Sequence, residues 1–84
     1  MIANEPNEIE KTLRKLFVRD VGSVPIDPTT PRQEVAAWDS LRHAQLIIDV
    51  QKQFGFNFSM TEILQCESYE DLLNIVLTKM TAGK

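Results

Sequence analysis

The sequence predicts an all-α fold: a small four-helix bundle of three main helices plus one short helix, with a long loop between helices 1 and 2. Three observations predict it. Apolar residues recur at three- and four-residue spacing in the stretches 9–17, 46–54 and 72–80, the periodicity of a helix with one buried face. Two later segments, Ser59-Met60-Thr61-Glu62 and Ser68-Tyr69-Glu70-Asp71, carry the residue types that open helices. The chain has 84 residues, enough for one core and no second one. Residues 1–84 are therefore expected to form one domain, with 1–4 and 81–84 frayed.

In chain order, Asn4 or Asn7 can cap a first helix whose opening turn holds Pro6 and acidic residues. Ile9, Leu13, Leu16 and Phe17 form its inward face, Lys11, Arg14, Lys15 and Arg19 its wet face, and Gly22 its end. Pro25, Pro28 and Pro31 then forbid a continuous helix. So long a connector in a small domain needs anchors, and Val24, Ile26, Val35 and Trp38 are the apolar residues that can supply them. A second helix runs from about Ser40 to Phe54 and stops at Gly55. Phe56 and Phe58 alternate with Asn57 and should turn inward. A short helix with Met60, Ile63 and Leu64 follows its capping box. The last helix points Leu72, Leu73, Val76, Leu77 and Met80 at the core, so truncating Leu77 or Val50 should cost as much as other core truncations.

Composition bounds the function. Hydrophobic residues make up 43% and charged residues 25%, an ordinary balance for a folded domain. The longest apolar run, residues 35–38, is far too short to span a bilayer. The N-terminus has neither the basic nor the apolar region of a signal peptide, and a cytoplasmic setting is expected. One cysteine allows no internal disulfide, and one His with one Cys, His43 and Cys66, is no metal-ligand set. Cys66 reads as a small apolar residue between the last two helices. Net charge is −3, and the excess lies in residues 33–71, which hold seven acids and two bases. That sign argues against a nucleic-acid partner and suits a protein with a basic docking surface. The chain is expected to be a monomer.

The chemistry centres on Asp39-Ser40-Leu41, where the Pro-punctuated connector meets the most apolar helix. A hydroxyl there sits at a helix N-terminus, whose free N–H groups and dipole favour an attached anion. Asp39 can be the N-cap, leaving Ser40 as the first helical residue. The apolar residues of this helix do not fit one stripe. Leu46, Ile47, Val50 and Phe54 make one face, and Leu41, Ala44 and Ile48 make a second beside it. A surface helix needs one buried face, so the second stripe is expected to be partly exposed and to dock a partner. His43 shares a face with Ser40 at a spacing of three, which invites a hydrolase reading. Neighbours on one helix supply neither an oriented third group nor an oxyanion pocket, so catalysis is not expected. His43 is expected to be a solvated surface histidine; the alternative places it, protonated, beside a phosphate. Trp38 reads as a loop anchor.

Taken together, Asp39-Ser40-Leu41, the helix after it, Phe54-Gly55-Phe56 and the two further short helices resemble the acyl carrier protein family, over residues 9–80. The resemblance implies that Ser40 is esterified by 4′-phosphopantetheine, taken from coenzyme A by a separate phosphopantetheinyl transferase, and that acyl groups ride on the terminal thiol as thioesters. It implies that Asp39 helps the transferase engage, through the magnesium ion of that enzyme, and that Leu41 makes the first docking contact. The expected docking residues are Leu41, Ala44, Ile48, Asp49 and Glu62, and the partners are acyl-loading and acyl-processing enzymes of fatty acid, polyketide or related synthesis. Carriers of primary fatty acid synthesis have a strongly acidic second helix, whereas here Asp49 is its one acid after Asp39, among Arg42, His43, Gln45, Gln51 and Lys52. The implied carrier is thus a discrete, specialised one with a less basic or more apolar partner surface. An unmodified helical interaction module docking through Leu41, Ala44 and Ile48 is the other reading.

Overall fold

The computed structural model of the chain describes residues 6–22 and 27–82. Among these residues the chain is all-helical: α1 (Pro6–Val21), α2 (Ser40–Phe54), the short α3 (Met60–Gln65) and α4 (Tyr69–Ala82). A single 3-10 turn, Arg32–Glu34, interrupts the connector between α1 and α2. Asn7 lies inside α1 and is not its cap; Asn4, Val24 and Ile26 fall outside the described residues. At the other end α4 runs to Ala82, and the Thr81 hydroxyl donates to the Leu77 carbonyl at 2.7 Å.

The predicted boundaries have physical causes that the structure shows. Gly22 closes α1 with φ 120°, and its N–H bonds the Val18 carbonyl at 2.9 Å. Gly55 closes α2 in the left-handed conformation, φ 77°, which a side chain would strain. Ser59 and Glu62 form a reciprocal capping box at α3, with bonds of 3.1 and 2.8 Å. The Ser68 hydroxyl accepts from the Asp71 N–H at 3.1 Å and so caps α4.

α1 packs against both α2 and α4. The core runs from Ile9, Leu13 and Phe17 through Trp38, Leu46 and Val50 to Cys66, Leu72 and Val76. Phe17 is its hinge, meeting Trp38 and Tyr69 edge-on with ring centroids 4.8 and 5.1 Å apart, the favoured arrangement of two ring quadrupoles. Leu73, Leu77 and Met80 are only partly buried, so Leu77 belongs to the rim of the core rather than to its centre.

The connector is anchored, as its length requires. Asp27 accepts from the Thr29 N–H and hydroxyl at 2.9 and 2.7 Å, which turns the chain. The Arg32 N–H then bonds the Glu67 carbonyl, and the Glu70 N–H bonds the Pro28 carbonyl at 2.9 Å. Trp38, fully buried, drives the far end of the connector into the core. The connector is thereby tied to the α3–α4 junction before it delivers the chain to α2.

Candidate functional site

The site is built where the connector becomes α2. Asp39 is extended and is the N-cap: its carboxylate accepts from the Arg42 N–H at 2.9 Å and from the Arg42 guanidinium at 3.2 Å. Its carbonyl takes the His43 N–H at 2.8 Å, the first intrahelical bond. Capping is thus done by Asp39, and Ser40 is the exposed first residue of the helix. The Ser40 and Leu41 amides belong to the first turn and have no intrahelical carbonyl to bond. Arg42 partly neutralises the Asp39 carboxylate, which lowers the repulsion that an anion on Ser40 would otherwise meet.

Two faces separate along α2. Leu46, Ile47 and Val50 are buried in the core and Phe54 packs against it. Leu41 is 80% exposed, Ile48 44% exposed, and Ala44 lies open between them. The short α3 adds two more bare apolar side chains, Met60 and Leu64, each 69% exposed. The remaining two expected docking residues are placed differently. Asp49 is mostly covered and accepts from Arg19 at 2.9 Å and Gln45 at 3.1 Å, so its charge is spent joining α2 to α1. Glu62 is engaged by the Ser59 N–H and by Lys79 at 3.0 Å. The hydrogen bonds of both partners hold its carboxyl below the usual range.

His43 corrects the sequence expectation. It is not a solvated surface residue: it is 7% exposed, and both of its ring nitrogens face Trp38 and Ile63. The Trp38 indole N–H donates to His43 Nδ1 at 3.1 Å, and Nε2 lies 3.5 Å from the Ile63 carbonyl. Burial, with the Arg32 charge as a second cause, pushes its pKa below the ordinary value. The ring therefore fits neither a protonated phosphate ligand nor a base for Ser40. The spacing had carried the signal: residues 43, 46, 47 and 50 are one helical face, and a face counted only from apolar residues leaves the histidine out.

Among the described residues, no group of three or more His, Cys, Asp or Glu is placed to hold a metal ion. A cleft of about 220 Å³ between α3 and α4 is lined by Glu62, Gln65, Asn74, Ile75 and Thr78, without Ser40 or His43. Cys66 is buried, and burial pushes its thiol up to about 12, which keeps it protonated and inert. No described helix is long and apolar enough to cross a membrane.

The family model described as the phosphopantetheine attachment site matches residues 11–76, most of the chain and all of α2 and α3. No curated protein and no solved structure matches. The family carries covalently attached 4′-phosphopantetheine, and its domains serve as carriers that work with a phosphopantetheinyl transferase and with synthase enzymes. An exposed serine at the start of α2, in a four-helix scaffold with no catalytic constellation at that serine, fits that group. By its matched span and by its fold, the chain belongs to the phosphopantetheine-attachment family of carrier domains.

Proposed function

We propose that the chain is an acyl carrier domain, loaded on Ser40, that presents acyl thioesters to the enzymes of a dedicated pathway of polyketide, special-lipid or related synthesis in the cytoplasm. The observation that carries this reading is the division of labour between Asp39 and Ser40. Because Asp39 caps α2, the Ser40 hydroxyl is exposed and spare at the helix start. When bound, the pantetheine arm supplies a terminal thiol that holds the acyl group as a thioester. The chain's own part is to position and to recognise. The free first-turn amides and the helix dipole favour the phosphodiester, and Asp39 stands beside the hydroxyl where the transferase and its magnesium ion engage. Leu41, Ala44 and Ile48 offer an apolar docking stripe next to it.

The partner surface follows from the charges left free. With Asp49 and Glu62 engaged inside the chain, the exposed side of α2 is apolar and weakly basic rather than acidic. The docking surface of the partner is then mainly apolar, with association rates that respond weakly to salt. Ester formation is tested by intact mass spectrometry after incubation with coenzyme A and a broad-specificity phosphopantetheinyl transferase. One added phosphopantetheine is expected, and it vanishes in Ser40→Ala. No addition under conditions that load a control carrier would leave the exposed stripe as the face of an unmodified interaction module.

A further inference from the structure

We propose that His43 is a positioning residue whose neutral ring latches the Ser40-bearing start of α2 to the connector and to α3, and whose protonation opens that latch. Its effect on loading rests on the carrier reading above; the latch itself does not. Three elements meet at this ring. Its own helix brings it one turn below Ser40, where its N–H completes the first α2 bond to Asp39. The connector reaches it through the Trp38 indole at 3.1 Å, and α3 through the Ile63 carbonyl at 3.5 Å.

The bonding fixes the proton. An indole N–H can only donate, so Nδ1 must accept, and the single ring proton sits on Nε2, facing the Ile63 carbonyl. A second proton can be added only at Nδ1. That places two N–H groups head to head, removes the acceptor from Trp38, and puts a full charge in a site 7% exposed. Either the ring swings out or Trp38 moves, and Trp38 is packed edge-on against Phe17. In both cases the first turn of α2 loses its tie to the connector.

Beyond the Ile63 carbonyl, which favours the cation but is outweighed by burial, the surroundings offer it no compensation. Arg32 of the connector acts on the ring and opposes a second positive charge. The acids of the neighbouring elements are committed or outside: Asp39 to Arg42, Glu62 to Ser59 and Lys79, Asp71 to the Glu67 N–H, while Glu34 and Glu67 are exposed. Cys66 stays a neutral thiol. Because the folded state holds the His43 pKa below its ordinary value, the unfolded chain takes up the proton first as the pH falls. The latched state is fully favoured above the ordinary histidine value of about 6.5 and loses ground as the pH falls through it towards the lower folded value.

The chain has one tryptophan and one histidine, so each signal is assignable on sight. Nitrogen-15 NMR of the unmodified protein follows the Trp38 indole N–H and the His43 ring nitrogens through an acid titration. The indole resonance is expected to shift, and its protection from exchange to fall, with the midpoint of the His43 ring. His43→Asn, which keeps a neutral acceptor, is expected to give a flat indole signal. Trp38→Phe removes the donor and is expected to raise the pH at which His43 titrates. An indole signal that ignores the His43 titration, or that changes only as the Leu72 and Val76 methyl signals of the core collapse, overturns the proposal. So does an unmoved His43 midpoint in Trp38→Phe. The loading rate of wild type relative to His43→Asn, at each pH with the same transferase, is expected to fall by about half at that midpoint. Loading of Ser40 with a flat indole signal refutes the latch and keeps the carrier; a titrating indole with no loading at any pH does the reverse.

Discussion

Leu41 and Leu46 lie on one helix, and the same substitution at each measures how α2 divides its two faces. Leu→Ala removes three carbons, about 2.4 kcal/mol of transfer free energy at about 0.8 kcal/mol each when the side chain is fully buried. Leu46 is 0% exposed, so all of it is lost and a cavity is left, for a total of about 3–5 kcal/mol. Leu41 is 80% exposed, so about a fifth is lost, roughly 0.5 kcal/mol, and the better helix propensity of alanine offsets part of that. A domain of 84 residues has a total stability of about 4–12 kcal/mol, so the first change removes a large share and the second almost none. Urea unfolding followed by circular dichroism reads both, with m unchanged if only stability moves. In heat the Leu46→Ala midpoint is expected to fall by more than about 12 °C and that of Leu41→Ala by under about 4 °C. Equal losses, or a larger loss at Leu41, would refute the assignment of one face to the core and the other to solvent.

Three further outcomes follow from the same structure. Asp39→Ala removes the acceptor of the Arg42 N–H and is expected to cost about 1 kcal/mol, whereas Ser40→Ala, which removes no cap, should leave the thermal midpoint within about 2 °C of wild type. With its thiol pushed up to about 12, Cys66 should resist iodoacetamide in the folded protein at about pH 8 and react once urea is added, as mass spectrometry would show. The Asp20 side chain is largely covered beside Asp49, and burial first, then the adjacent Asp49 carboxyl, raises its pKa. The unfolded chain therefore ionises first as the pH rises, and stability is lost as the pH climbs past the ordinary aspartate value of about 3.9. Asp20→Asn, which keeps a donor for Asp49, is expected to raise the melting temperature near pH 7 and to lose that advantage towards pH 3; a constant difference across the range would contradict the assignment.

Most of the fold was legible because the punctuation is local. Gly22, Gly55, the Ser59–Glu62 box and Ser68 each act within four residues, and the helix ends fall at them. The two stripes of α2 were legible for the same reason, since exposure on one helix follows its own periodicity. What the sequence hides is long-range pairing. Arg19 meets Asp49 across thirty residues, and Lys79 meets Glu62 across two elements, so carboxylates that look free along the chain are already taken. His43 was misplaced because a polar residue on a buried face is assigned to solvent unless a partner is in view, and its partners are a loop tryptophan and a carbonyl twenty residues away. The anchoring of the connector was expected, but its means were not, because main-chain bonds leave no mark on residue type.

Those main-chain ties, from Arg32 to Glu67 and from Glu70 to Pro28, set what variation this molecule can accept. They use donors that every amino acid except proline provides, so the sequence of the connector can drift with little consequence for its course. Its length cannot. One residue gained or lost between positions 28 and 32 would put the Pro28 carbonyl and the Arg32 N–H out of register with their partners at the α3–α4 junction and carry the Ser40 turn with them. Proline at 32 or 70 would cut one tie outright. A library of inserts and deletions across the connector should thus be far more damaging than a library of substitutions.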